Sequence, residues 1–256
     1  DFEISQTPAL AERPLMDRWI ISELNILIQE VDAALEDFDS QIAGRALARF
    51  IDDLSNWYVR RSRRRFWDGD TAALGTLHEC LVTLTKLLAP LVPFITEQVW
   101  QELVRPTDPS AQTSVHLANW PIAQSSAIDV NLGSQVALTR RIVELGRATR
   151  AESGIKIRQP LGRALIAASG WSTLPEQMRE QIADELNVQT LEDIASADGD
   201  LVDISVKANF KSLGAKFGGA VQEISKAIAS TDATALVKTL RSTGNTKVGT
   251  WEIALE

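Results

Sequence analysis

Cysteine is nearly absent from this 256-residue chain. Cys80 stands alone, which excludes an internal disulfide framework, a CxxC redox pair and any multi-cysteine zinc site. Histidine is almost as scarce: His78 and His116 are the only two, and they offer little for a histidine metal cluster. His78, in LHECLVTL, reads as a helix-face residue, and His116 sits between Val115 and Leu117 as a structural one, so no nucleophilic triad assembles. Asp52 and Asp53 are adjacent on a helix and point ~100° apart, which argues against a shared acid/base site. The glycines of GAKFGG, residues 214–219, are followed by Ala220 and Val221 where a phosphate-binding loop needs Lys and Ser or Thr. No apolar run approaches the ~18 residues of a membrane span. The opening DFEISQTPAL is polar, and the first methionine is Met16. Neither a signal peptide nor a membrane partner is expected. The expectation is a soluble, cytoplasmic polypeptide that begins as though cut from a longer one, with no catalytic and no metal residues of its own.

What is present suits folded domains. With 45% hydrophobic and 23% charged residues, the chain can bury a core, and its length suggests about two domains. The net charge is -8, yet the basic residues are confined to stripes. RRSRRR at 60–65 carries no acid, and further basic stretches lie within 140–163 and 205–247. Such a protein does not bind polyanions everywhere but can engage one along a track.

Apolar spacing predicts a helix from Met16 through Trp19, Ile20, Leu24, Leu27, Val31, Leu35 and Phe38. A second runs from Ser40 as N-cap, with Ala43, Ala46, Leu47, Phe50, Leu54 and Trp57 inward, on through the arginines. A third starts near Thr71 on the stripe Leu74, Leu77, Leu81, Leu84 and Leu88, and is interrupted by Pro90 and Pro93. A fourth covers 94–103. SVHLANW, 114–120, suggests a short strand, and a further helix fits 134–150. After Ser153 the pattern turns to β-branched alternation. One or two strands are expected in 155–168, a helix in 174–187, a strand in 201–210, helices in 220–230 and 234–244, and a final strand over 247–256. The fold class is therefore multidomain. It comprises an all-α helical bundle over 1–122, a linker and connecting helix over 123–153, and a smaller α+β domain over 154–256.

The stretch WYVRRSRRRFW, 57–67, needs separate explanation. Continued as a regular helix, Trp57, Arg61 and Arg64 share a row, Arg60 and Arg65 flank it, and Arg63 points away. Arg61 and Arg64 are then expected to be the more buried and paired, Arg63 exposed, and Arg60 and Arg65 intermediate. Buried guanidinium groups need partners. Carboxylates from another element and a phosphate backbone both suit the arginine fork, and the flanking aromatics can cover arginine stems or stack on a base.

Four segments carry a resemblance. FIDDLSNWYVRRSRRRFW (50–67), with the entry Met16 to Trp19, and LAPLVPFITEQVW (88–100) look like the anticodon-binding helical domain of class I aminoacyl-tRNA synthetases. WYVRRSRRRFW, GRATRAESGIKIRQPL (146–161) and VKANFKSLGAKFG (206–218) are similar to the isoleucyl enzymes. A valyl-type relative is disfavoured by the last two segments. Ala208 stands where that family often has proline, LNVQTLED (186–193) is a loose match, and the HIGH-type and KMSKS-type motifs and the editing domain are absent from these residues. The resemblance implies a parent enzyme that joins isoleucine to its tRNA with ATP and magnesium, while this portion, without cofactors, binds isoleucine tRNA and meets the catalytic core of the parent chain. The tRNA-binding candidates are Trp57, Arg60, Arg61, Arg63, Arg64, Arg65, Lys156, Arg158, Lys211 and Lys216. The alternative is an interaction module whose arginine helix docks on the catalytic core with no RNA affinity of its own.

Overall fold

Helix α1, Leu15–Glu36, has an apolar stripe so wide that Trp19, Ile20, Ile21, Leu24, Leu27, Ile28 and Val31 are all buried. A stripe of that width must be covered from several sides, and α1 is the central helix of a bundle. The computed structural model describes residues 3–194, 206–231 and 233–254. Around α1 pack α2 (Ser40–Asp52), α4 (Thr71–Leu88) and α6 (Val130–Glu152). α1 ends in a Schellman turn: the Asp39 N–H donates to Ala34 O and the Phe38 N–H to Leu35 O. Phe38 therefore occupies the left-handed position that glycine usually fills, at φ 58° and 95% exposed. It does not extend the helix face as its spacing suggested. Helix starts are set by short polar caps. Asp39, not Ser40, accepts from Ile42 N, Asp70 accepts from Ala73 N, and Asp129 accepts from Leu132 N.

The helix from Ser40 continues to Trp67, but not as one regular α-helix. Residues Asp53–Val59 form a π-helical turn, closed by Arg60 N donating five residues back to Ser55 O, before α3 (Arg60–Trp67) resumes. One extra residue in that turn moves every later side chain round by one position. The inward row is Phe50, Leu54, Tyr58 and Ser62, continued by Arg65, in place of the regular row through Trp57, Arg61 and Arg64.

The shift turns the half-buried Arg65 toward the bundle. Its Nη1 and Nη2 meet the two Asp17 oxygens at 2.6 and 2.7 Å, and Asp17 is fully buried. The Tyr58 hydroxyl donates to the same carboxylate at 3.0 Å, and Arg65 Nε reaches the α4 cap, Asp70, at 2.8 Å. Three helical segments are thus tied through one desolvated ion pair. Burial, together with the Asp17 charge, pushes the Tyr58 phenol well above its usual range. The Asp17 hydrogen bonds do the same for Arg65.

α4 presents small residues inward. Ala73, Thr76, Cys80 and Leu84 are buried, while Leu74, Leu77, Leu81 and Leu88 are half-buried on its flank. The leucine stripe thus marks the side of the helix rather than its buried face, because small side chains let neighbouring backbones approach. Thr7 lies so close to Gly75 that a Cβ there would sit 2.0 Å from its Oγ1. α5 (Pro93–Val99) leads into a second π-helical turn, Trp100–Val104, and Trp100, Val104, Ala89 and Val115 form a small cluster. Val115–Leu117 is a 3-10 turn and not the short strand expected there.

α7 (Glu176–Leu186) packs on α6, and Gly146 makes that contact possible: a Cβ would lie 2.6 Å from the Leu186 methyls. The two compact units part later than the change of pattern at Ser153. The first comprises residues up to 162 with 168–190, the second 163–167 with 191 onward. Leu161–Ile166 (β1) and Val188–Asp193 (β2) make a two-stranded sheet. Residues 155–160 add no strand. Of the strand expected over 201–210, residues 201–205 lie outside the described residues, and 206–209 form neither helix nor strand.

The second unit holds α8 (Phe210–Phe217), α9 (Val221–Ser230), α10 (Ala233–Thr243) and the antiparallel hairpin β3 (Asn245–Val248) and β4 (Trp251–Ala254). Ile224, Ile228, Leu236, Leu240, Val248 and Ile253 form its core. The expected single last strand is two, because Gly249 at φ 62° opens a two-residue turn. The whole is a helical bundle followed by a smaller α+β part.

Removing Arg65 strands the Asp17 charge, so Arg65→Ala should lower stability by ~3–5 kcal/mol, whereas Arg63→Ala and Arg64→Ala should stay within ~0.5 kcal/mol of the parent. Urea midpoints of the three variants check this. A larger loss in Arg64→Ala would return the inward row to its unshifted phase.

Candidate nucleic-acid interface

α3 places five arginines within six residues, and the structure sorts them. Arg65 is consumed by Asp17 and Asp70. Arg60 and Arg61 turn to α7, where Arg60 Nη2 reaches Glu185 Oε1 and Oε2 at 2.8 and 2.6 Å. Arg61 Nη2 lies 3.1 Å from Oε1, and its Nη1 donates to Gln181 Oε1 at 2.8 Å. Arg147 of α6 pairs with the same carboxylate. One carboxylate therefore serves three guanidinium groups, and the node keeps an excess of positive charge.

Trp57 lies beneath it. The Arg61 guanidinium stacks 3.8 Å from the centre of the indole, and Arg140, itself paired with Asp53 at 2.6 Å, lies at 5.4 Å. Trp57 Nε1 and Arg61 Nε are buried without acceptors. Burial, only partly opposed by Glu185, brings the Arg61 pKa down to about 10. Burial also acts to raise the Glu185 pKa, but the Arg60 hydrogen bond and the charges of Arg61, Arg60 and Arg147 outweigh it and hold the carboxyl below its usual range.

Arg63 and Arg64 point outward. The Arg64 side chain is 93% exposed, with Asp68 a distant 3.8 Å away, which overturns the expectation that it is buried with Arg61. Arg60, Arg61, Arg63, Arg64 and Trp67 line an open recess of about 450 Å³. Trp67 is 76% exposed. A wide, shallow, arginine-lined hollow with a bare indole at its edge suits a phosphate backbone and an unstacked base better than a small molecule.

The remaining candidates lie elsewhere. Lys156 and Arg158 are exposed on the loop between α6 and β1, and Lys211 and Lys216 are exposed on α8 in the second unit. Sequence reasoning missed Glu185, Gln181, Arg147 and Arg140. Gln181 and Glu185 are one helical turn apart in EQIADEL, and that i,i+4 pair was the signal available.

Among the described residues no group of three or more His, Cys, Asp or Glu could hold a metal ion. Residues 214–219 form the end of α8 and a 3-10 turn rather than a phosphate loop. Burial holds the Cys80 thiol well above its usual range and His78 below its own. No described helix is long and apolar enough to cross a membrane.

Residues 17–166 match the family described as the anticodon-binding domain of tRNA ligase. The chain is 58% identical over 234 residues to the isoleucine–tRNA ligase of Streptomyces avermitilis, covering 91% of this chain and 22% of that protein. It is 57% identical over 245 residues to that of Thermobifida fusca, covering 94% and 23%. For the Thermus thermophilus isoleucine–tRNA ligase the identity is 40% over 236 residues, covering 88% and 22%. The chain thus spans under a quarter of the length of these relatives.

Glu185 ionised is the form the arginines stabilise. Its contribution is complete above the unfolded carboxyl pKa, ~4.3, and fades as pH falls through the lower folded value. Glu185→Gln should therefore be less stable than the parent at pH 7, and the gap between the two urea midpoints should shrink as pH is taken down below the unfolded carboxyl pKa, ~4.3. A gap that stays constant down to the acid limit of folding would mean that the charge of Glu185 is not what holds the node.

Proposed function

Because this chain belongs to the tRNA-ligase family that carries the anticodon-binding domain, we propose that it is the tRNA-gripping portion of an isoleucine–tRNA ligase, with isoleucine tRNA as its partner. Activation of isoleucine with ATP and magnesium is, in this reading, the work of parts of a longer enzyme that these 256 residues do not include. The cytoplasm, where tRNA is charged, is the compartment that goes with it. The observation that carries the reading is the recess on α3. Arg63 and Arg64 extend into solvent beside the bare indole of Trp67, while their neighbours are fixed by Glu185 and Asp17. Guanidinium groups there hold phosphates by charge, and the indole offers a face to a splayed base. Lys156 and Arg158 in the first unit, and separately Lys211 and Lys216 in the second, are further exposed basic residues available to the same RNA. With a net charge of -8 on the whole chain, affinity has to come from such stripes.

A second contact has its own support. Phe94 is 91% exposed at the start of α5, with Ile95 at 62% and Val92 at 41%. An apolar tip of this kind favours docking against the catalytic part of a longer ligase, and it can coexist with RNA binding because it lies on a different element.

Two kinds of variant separate charge from stacking. Arg63→Ala/Arg64→Ala should lower the salt slope of isoleucine-tRNA binding by ~2. Trp67→Ala should weaken binding by ~1–3 kcal/mol and leave the slope unchanged. Both should melt as the parent does. Filter or fluorescence titrations across a salt series measure the slopes, and unchanged affinity in both variants would remove the recess from the interface. Lys211→Ala/Lys216→Ala, read the same way, tests whether the second unit takes part.

A further inference from the structure

The loop that leaves α6 is folded around one buried side chain. Arg150, in the last turn of α6, is 6% exposed. Its Nη2 donates to the carbonyls of Lys156 at 3.0 Å, Ile157 at 3.3 Å and Gln159. Its Nε and Nη1 are buried with no acceptor. The loop is closed further by Ile155 N donating to Arg150 O at 2.8 Å and Gln159 N donating to Lys156 O at 3.0 Å. Asn187 Nδ2, at the end of α7, donates to Ile157 O at 3.1 Å. Gly154, at φ 66°, provides the sharp exit from the helix. All of these groups belong to the first unit.

The chemistry is uneconomical for stability alone. A buried guanidinium that meets carbonyls instead of a carboxylate keeps its full charge, and an apolar side chain of similar volume would fill the space with less desolvation. What the guanidinium supplies is geometry. It draws the carbonyls of Lys156, Ile157 and Gln159 inward, and Lys156 and Arg158 stand exposed on the loop. Its own positive charge lies in the same loop and adds to the field felt by an approaching anion.

We infer that Arg150 is a positioning residue that presents Lys156 and Arg158 to the phosphodiester backbone of the bound RNA. The inference rests on the tRNA-binding reading above, and it assigns to Arg150 a role exercised through the loop and not by contact with RNA.

The test uses the whole 256-residue chain, with Arg150→Met, Arg150→Lys, the double variant Lys156→Ala/Arg158→Ala, and Arg150→Met added to that double. Trypsin cleavage after Lys156 and Arg158 reads the loop without RNA. In Arg150→Met it should be about tenfold faster, because the loop opens locally, while cleavage after Lys86 in α4 stays at the parent rate and shows that the bundle is folded. Binding of an isoleucine-tRNA transcript across a salt series reads the presentation. Arg150→Met should lose ~2 in salt slope, as should the lysine–arginine double. Combining the two should lose no more, because they act on one contact. Arg150→Lys, which keeps a charge and three donors, should fall between parent and Arg150→Met in both measurements. Unchanged cleavage in Arg150→Met and Arg150→Lys would overturn the inference while leaving RNA binding intact, and so would strictly additive losses. Faster cleavage with RNA binding unaffected in both Arg150→Met and the double variant would remove this loop from the RNA reading, and the inference with it.

Discussion

The bundle depends on a charge placed where solvent cannot reach it. Asp17 is fully buried, and an isolated carboxylate there would cost several kcal/mol. Its presence is tolerable only because Arg65 meets both oxygens, Tyr58 donates to one of them, and Asp70 takes the remaining Nε of the arginine. These groups come from α1, from the long helix spanning 40–67 and from the cap of α4. Their geometry can be satisfied in only one relative placement of those segments. Apolar packing around Trp19, Leu24 and Leu47 supplies the driving force, and the ion pair supplies the register.

That register is available because of the π turn at Asp53–Val59. Without the extra residue, Tyr58 and Arg65 would turn away from Asp17, and Trp57 would be drawn inward. The same turn therefore decides two matters. It sends Arg65 into the bundle, and it leaves Trp57 at a half-buried position where Arg61 and Arg140 can lie over its ring. The division between structural and solvent-directed arginines on α3 follows from the π-helical turn that Arg60 N closes on Ser55 O.

Much of this was legible in the residues. The spans of α1, α4, α6, α7 and α9 follow from apolar spacing, and the tRNA-ligase character follows from three ordered segments. Where expectation and structure differ, a simple rule meets a local exception. A period of about 3.6 residues per turn carried through the π turn puts Arg64 inside. The spacing of Phe38 fits the helix, but the Schellman turn ends α1 before it. Bulk points to the α4 leucines as the buried face, whereas Ala73 and Thr76 occupy the tight contact. Glu185 lies 125 residues from Arg60 in sequence, and its i,i+4 spacing from Gln181 marks a polar helix face without saying what that face meets. Asp39, Asp70 and Asp129, by contrast, are cap residues in the expected chemical class, displaced only by a residue or a few from the boundaries that spacing suggested.

The close passage of α6 and α7 at Gly146 carries a meaning beyond packing. Leu186 occupies the space where a side chain at 146 would begin, and Glu185 is its neighbour in sequence. The separation of two helix axes thereby sets how far a carboxylate can reach toward α3. A single methyl group at residue 146 would act at a distance on the surface potential of the arginine face: by widening one helix pair it would withdraw the carboxylate that pairs with Arg60, Arg61 and Arg147. The protein's electrostatic surface is, at this place, written in the absence of a carbon atom.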